Sequence, residues 1–175
     1  MTASPFFGGS VLRTLILGYG NRDRQDDGIA WHILTGLKAA LGFQNPESID
    51  EDFLSNDDLV FVFQLQLMPE QAEYLSLFER ILFVDAHTGA VPEDINWQEI
   101  SSQFQNSPLT HHMTPGTLIS IVETVYNKRP EAALLSVRGF EFEFSQQLSS
   151  RTQALVAESL TRIQSWLRRD HKEGK

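Results

Sequence analysis

Apolar and polar positions follow two rhythms along this chain. Short, nearly solid apolar runs have the length and β-branched content of buried strands: Val11 to Leu17 with Arg13 and Thr14 inside it, Leu59 to Leu67, Ile81 to Asp85, and Ala132 to Val137. Between them apolar residues recur every three or four positions. Ile29, Ile33, Leu34, Leu37 and Leu41 predict a helix from about Asp27 to Leu41, stopped by Gly42 and Asn45-Pro46. Ala72, Leu75 and Phe78 predict a second behind Pro69-Glu70, proline being suited to a first helical turn. Leu118, Ile119, Val122 and Val125 predict a third, capped by Thr114-Pro115. Val156, Leu160, Ile163 and Leu167 share one face of a last helix over roughly Ser149 to Arg169. Ile95–Ile100 reads as a weaker strand; Glu47–Asp58 and Ser101–Thr110 read as loops. Strands alternating with helices predict an α/β sandwich around a mostly parallel sheet.

Composition narrows the classes. With 175 residues, 41% hydrophobic and 21% charged, the chain reads as a single globular domain, its ordered core running from about 11 to 169. A net charge of −9 argues against nucleic acid and anionic membrane surfaces as partners. There is no cysteine, so disulfides, thiolate nucleophiles and cysteine-held metals are excluded together, and any metal must meet His, Asp or Glu. Met1–Ser10 has neither a basic start nor a long apolar stretch, and no run reaches membrane-spanning length. The expected location is the cytoplasm.

Candidate chemistry begins where the first strand meets the first helix. Gly18-Tyr19-Gly20-Asn21 makes a turn, and Asp26-Asp27 stands just before the helical pattern. A strand, a glycine turn and a helix deliver side chains to the carboxyl edge of a parallel sheet, where such folds hold ligands. Asp23 occupies the third glycine position of a dinucleotide fingerprint, where a carboxylate would repel a pyrophosphate, and no Gly-Lys-Ser/Thr follows. The plain alternative is that Asp26 or Asp27 simply caps the helix.

Two further segments fall at the same edge by topology. Asp85 ends the third strand in Phe83-Val-Asp-Ala-His87-Thr-Gly89, and His111-His112 precedes the helix that starts near Thr114. Two carboxylates and an imidazole suit a borderline divalent ion with open coordination positions. Asp85 could equally bond turn amides at its strand end. His32, His87 and His112 read as ordinary structural or loop histidines, and His171 as tail.

These segments, in this order, resemble the hydrogenase maturation proteases, which trim the C-terminal extension of the large subunit of nickel–iron hydrogenases. The likeness is carried by Leu17-Gly-x-Gly-Asn-(x4)-Asp-Asp-Gly28, Gln66-Leu-Met-Pro-Glu70, Phe83-Val-Asp-Ala86 with Thr88-Gly89, and Leu109-Thr-His-His-Met-Thr-Pro115. Gly139-Phe-Glu-Phe-Glu-Phe-Ser-Gln-Gln-Leu-Ser149, followed by a long helix, is similar to the family's ending. Two positions depart from the family pattern: Asp23 stands where an apolar residue is usual, and Ala30 where glycine is usual.

The resemblance implies a three-layer α/β sandwich with a largely parallel five-stranded sheet and helices on both faces. It also implies a catalytic, metal-contacting trio of Asp27, Asp85 and His111, where a one-residue slip in register would exchange His111 for His112. The implied partner is the precursor large subunit, and the implied metal is nickel, arriving with that substrate rather than held by the free protein. The implied activity is an endopeptidase acting after nickel insertion, with a carboxylate or a polarised water attacking. A non-catalytic nickel-sensing or chaperone module on the same fold is the alternative. No Ser-His-Asp elbow and no His-Glu-x-x-His is present.

Overall fold

The computed structural model describes residues 12–49, 57–102 and 113–169. Five strands form one sheet: β1 (Thr14–Tyr19), β2 (Leu59–Gln64), β3 (Arg80–His87), β4 (Ile95–Ile100) and β5 (Glu131–Arg138). Their order is β2-β1-β3-β5-β4, with β1 parallel to both β2 and β3, β3 parallel to β5, and β4 antiparallel to β5. The weak strand of the sequence is therefore the reversed edge. One face of β4 is open to solvent, which is why its apolar pattern is diluted.

Helices cover both faces. α1 (Ile29–Ala40) and α5 (Val156–Leu167) pack on one, α2 (Gln71–Leu75) and α3 (Pro115–Tyr126) on the other. Alternate strand residues divide between the layers. Leu15, Leu17, Ile81 and Phe83 face α2 and α3, while Ile16, Leu82, Val84 and Val137 face α1 and α5. That two-sided burial explains the solid apolar runs. Each fully buried Leu or Ile contributes about 1.5–3 kcal/mol relative to an exposed one.

The structure corrects several boundaries. β2 stops at Gln64 because the chain turns away, braced by the buried Gln71, whose Oε1 accepts from the Met68 amide at 3.1 Å. The last helix is two pieces, α4 (Ser150–Gln153) and α5, stepped at Ala154-Leu155, and Ser149 caps the first by accepting from the Thr152 amide. In α3 the apolar stripe ends at Val122, and Val125 is solvent-exposed. Thr114 caps that helix as expected, its hydroxyl accepting from the Thr117 amide at 3.2 Å with Pro115 in the first turn.

This topology decides where a ligand can sit. α1 carries the chain from β1 to β2 on one face; α2 carries it back across β1 to β3 on the other. Connections from β1 and β3 thus lead in opposite directions, which opens a crevice at their carboxyl ends.

Candidate active site

The turn after β1 is shaped by exclusion. Gly20 has φ +137°, and a Cβ there would stand 2.2 Å from the Asp27 carbonyl oxygen, so no side chain fits. Gly18 has its own constraint, since an added Cβ would lie 3.1 Å from that of Ala30, the residue where the related pattern has glycine. A 3-10 turn, Gln25–Gly28, leads into α1, whose N-cap is Gly28 without any side-chain bond. Neither aspartate caps the helix.

The adjacent carboxylates point to different fates. Asp26 is fully buried, and its oxygens accept from the Phe140, Glu141 and Ser149 amides and from the Ser149 and Thr152 hydroxyls, at 2.7 to 2.9 Å. Burial alone would raise its pKa, but the Thr152 and Ser149 hydroxyls and the two amides win and hold it below the usual carboxylate value. Asp27 is half-buried, and one oxygen accepts from the Asn21 amide at 2.9 Å. It lines the crevice.

Asp85 reaches the same crevice from β3. In the parallel register Gly18 sits opposite Val84, so Tyr19 and Asp85 follow as neighbours on the face covered by α2 and α3. Burial pushes the Asp85 carboxyl up to about 7. Hydrogen bonding from the Tyr19 hydroxyl and the Ala86 amide opposes that rise, and the charge of Asp27 adds to it. Tyr19 is itself driven far above the normal tyrosine value, by burial first and then by Asp85, so it remains a neutral donor. Around these groups lies a cleft of about 1020 Å³, walled by the β2–α2 loop (Leu65 to Pro69), by Gln98 and Ile100 of β4, and by Met113 to Gly116 at the start of α3.

Asp27 and Asp85 both line this cleft. The third candidate, His111, lies outside the described residues, as does His112, although Met113 lines the cleft. Among the described residues no three His, Asp or Glu side chains cluster closely enough to hold a metal. His32 faces the Gln146 carbonyl at 3.1 Å, and His87 accepts from the Gly89 amide through Nδ1; neither lines the cleft. Sequence reasoning passed over Tyr19 as the variable residue of a glycine turn. Its one signal was a hydroxyl-bearing aromatic at the last position of a buried strand.

No family model and no curated protein sequence matches the chain. Solved structures do. The hydrogenase maturating endopeptidase HybD from Escherichia coli superposes with a TM-score of 0.64 at 16% identity, covering 90% of this chain and 93% of that one. The nickel–iron hydrogenase maturation protease HycI from Thermococcus kodakarensis gives 0.61 at 16% identity, over 94% and 97%. A hydrogenase 2 maturation peptidase from a thaumarchaeote gives 0.59 at 18% identity, over 89% and 97%. The chain has the maturation-endopeptidase fold. It spans almost the full length of those enzymes.

Proposed function

We propose that this protein is an endopeptidase that removes the C-terminal extension of the precursor large subunit of a nickel–iron hydrogenase once nickel is in place. The observation that carries this reading is the convergence of Asp27 and Asp85 in one crevice at the switch point of a fold shared with such proteases. Two hard carboxylates without any thiolate form an incomplete donor set. It suits a touch on nickel already held by the precursor's own ligands better than retention of a resident ion. Nickel is here part of the substrate.

On this reading the residues divide the work. Asp27, fixed by the Asn21 amide, is a directed carboxylate contact. Asp85, with a pKa near neutrality, is able to take a proton from an attacking water and return it to the leaving amine. Tyr19 keeps Asp85 oriented without competing for that proton. His111, two residues ahead of the cleft-lining Met113, is the proposed third contact. No helix among the described residues is long and apolar enough to cross a membrane, and the substrate is a protein chain rather than a lipid.

The test is to incubate the protein with nickel-loaded and nickel-free precursor and weigh the products by mass spectrometry. Release of one C-terminal peptide from the loaded form alone is expected. Tight binding without release would favour the nickel-sensing module, and equal cleavage of both forms would remove nickel from the mechanism.

A further inference from the structure

The segment from Gly139 to Thr152 has no side chain in the cleft, yet it grips the turn that supplies Asp27. Besides exposed side-chain bonds that Gln25 makes with Glu141 and Glu143 and that Asp23 makes with Gln146, its hold has two main parts. Backbone bonds join the strands of the grip: the Gln25 amide donates to the Ser145 carbonyl at 2.7 Å, the Asp26 amide to the Glu141 carbonyl at 3.1 Å, and the Ser145 amide to the Asp23 carbonyl at 3.1 Å. The second part is the Asp26 carboxylate, buried from water and saturated by donors that all come from this segment. The approach is so close that a Cβ on Gly139 would stand 3.0 Å from the Asp26 Cβ.

We infer that Asp26 is a positioning residue: by clamping the turn to the 139–152 segment it sets where the neighbouring Asp27 carboxylate stands relative to Asp85. The inference deepens the proposed function and rests on it. The two carboxylates have unequal support. Asp85 belongs to an interior strand: its ladder with β1 ends just before it at Val84, and its ladder with β5 runs through Asp85 opposite Ser136 and on to His87, so the sheet fixes it. Asp27 sits on a 3-10 turn bearing a strained residue, Gln25 at φ 48°, and outside its own turn that loop is tied down chiefly through Asp26 and the Ser145 bridge. A buried carboxylate accepting from hydroxyls and amides costs little to keep charged, and it is rigid because every donor is itself anchored. Thr152 is the clearest of these, fully buried in α4 and donating to Asp26 at 2.7 Å.

Thr152→Val removes that donor at constant shape, and Thr152→Ser restores it. The control is Thr14→Val, which alters another buried threonine at the far, amino-terminal end of β1, where its hydroxyl donates to the Leu12 carbonyl. With nickel-loaded precursor, measured well below the unfolding temperature, Thr152→Val should lower kcat about tenfold or more and leave KM within twofold, because a small misplacement of a reacting group is costly. Thr152→Ser should recover most of the rate, and Thr14→Val should retain it. Equal losses in Thr152→Val and Thr14→Val, or a loss that follows thermal stability rather than the hydroxyl, would overturn the inference. Should the wild type release no peptide, the functional reading fails on its own. The clamp is then judged from crystal structures of wild type and Thr152→Val: a displaced Asp27 with Asp85 unmoved supports it, and an unmoved Asp27 refutes it.

Discussion

Asp27 and Asp85 arrive at one cleft from opposite kinds of structure. Asp85 stands on an interior strand, held in register opposite Ser136 of β5 just past the end of the β1 ladder, and it pays for that rigidity with desolvation, which lifts its carboxyl to about 7. Asp27 stands on a turn made possible by Gly20 and tied to a segment more than a hundred residues later in the chain. The strand offers a fixed group with an adjustable proton. The turn offers a group whose place depends on distant parts of the chain. A site that must both touch a charged centre and move a proton gains from having one of each.

The largest expected effect tests whether both arms are needed. Asp27→Ala and Asp85→Ala should each reduce processing by a hundredfold or more, on the order of what removing a positioned acid–base group costs, while circular dichroism stays native. Neither side chain belongs to the apolar core, so unfolding of either variant would count against its assignment. Activity near the wild-type rate in one of them would reduce the pair to a single working group.

How much of this was legible beforehand follows the same division. The strand arm could be read directly: Phe83-Val-Asp85 is a solid apolar run ending in a carboxylate, and two-sided burial leaves that pattern little choice. The four helical stripes and the mostly parallel sheet were legible for the same reason. The turn arm was legible only as a motif. Local sequence shows Asp26 and Asp27 as equals, because the donors that separate them come from Phe140 to Thr152. Nothing within ten residues announces those bonds. The step between α4 and α5 was hidden likewise, since the apolar stripe lies wholly within α5 and the polar Ser150–Gln153 carries no pattern that would mark a break.

Next in size is the turn's dependence on glycine. Gly20→Ala places a Cβ against the Asp27 carbonyl and forces φ +137° on a residue that rarely adopts it. A loss of about 1–3 kcal/mol is expected, read from chemical denaturation, with activity falling further than stability alone explains. An alanine variant as active and stable as the wild type would mean the turn is more adaptable than its geometry indicates.

The pH dependence sharpens the strand arm. Because burial raises the Asp85 pKa from 3.8 to about 7, the folded state binds a proton more tightly than the unfolded chain between those values. The protonated form therefore favours folding, and that advantage is lost as pH rises through about 7. Asp85→Asn should consequently be more stable than wild type at pH 8, with the gap narrowing towards pH 5. If Asp85 acts as the proposed proton acceptor, processing should rise with pH through the same region as its ionised form is populated. A thermal scan at both pH values that shows no narrowing would place Asp85 in wetter surroundings than the cleft provides.

The smallest effect separates Tyr19 from the carboxylates it serves. Its hydroxyl bonds the ionised Asp85 and lowers that group's pKa against burial, while its own pKa is pushed so high that it stays neutral throughout. Tyr19→Phe keeps the ring, which packs beside the layer of Leu15 and Leu17, and removes only the donor. The sign follows: without it the charged carboxylate is less favoured, so the acid limb of the activity profile should move to higher pH by a few tenths to about one unit, the scale of a single hydrogen bond of about 0.5–1.5 kcal/mol. Activity on the alkaline plateau should change little, since Asp85 is ionised there with or without help. A shift to lower pH would show that the phenol favours the protonated acid. A large loss on the plateau would make Tyr19 a participant in the reaction rather than a support for Asp85.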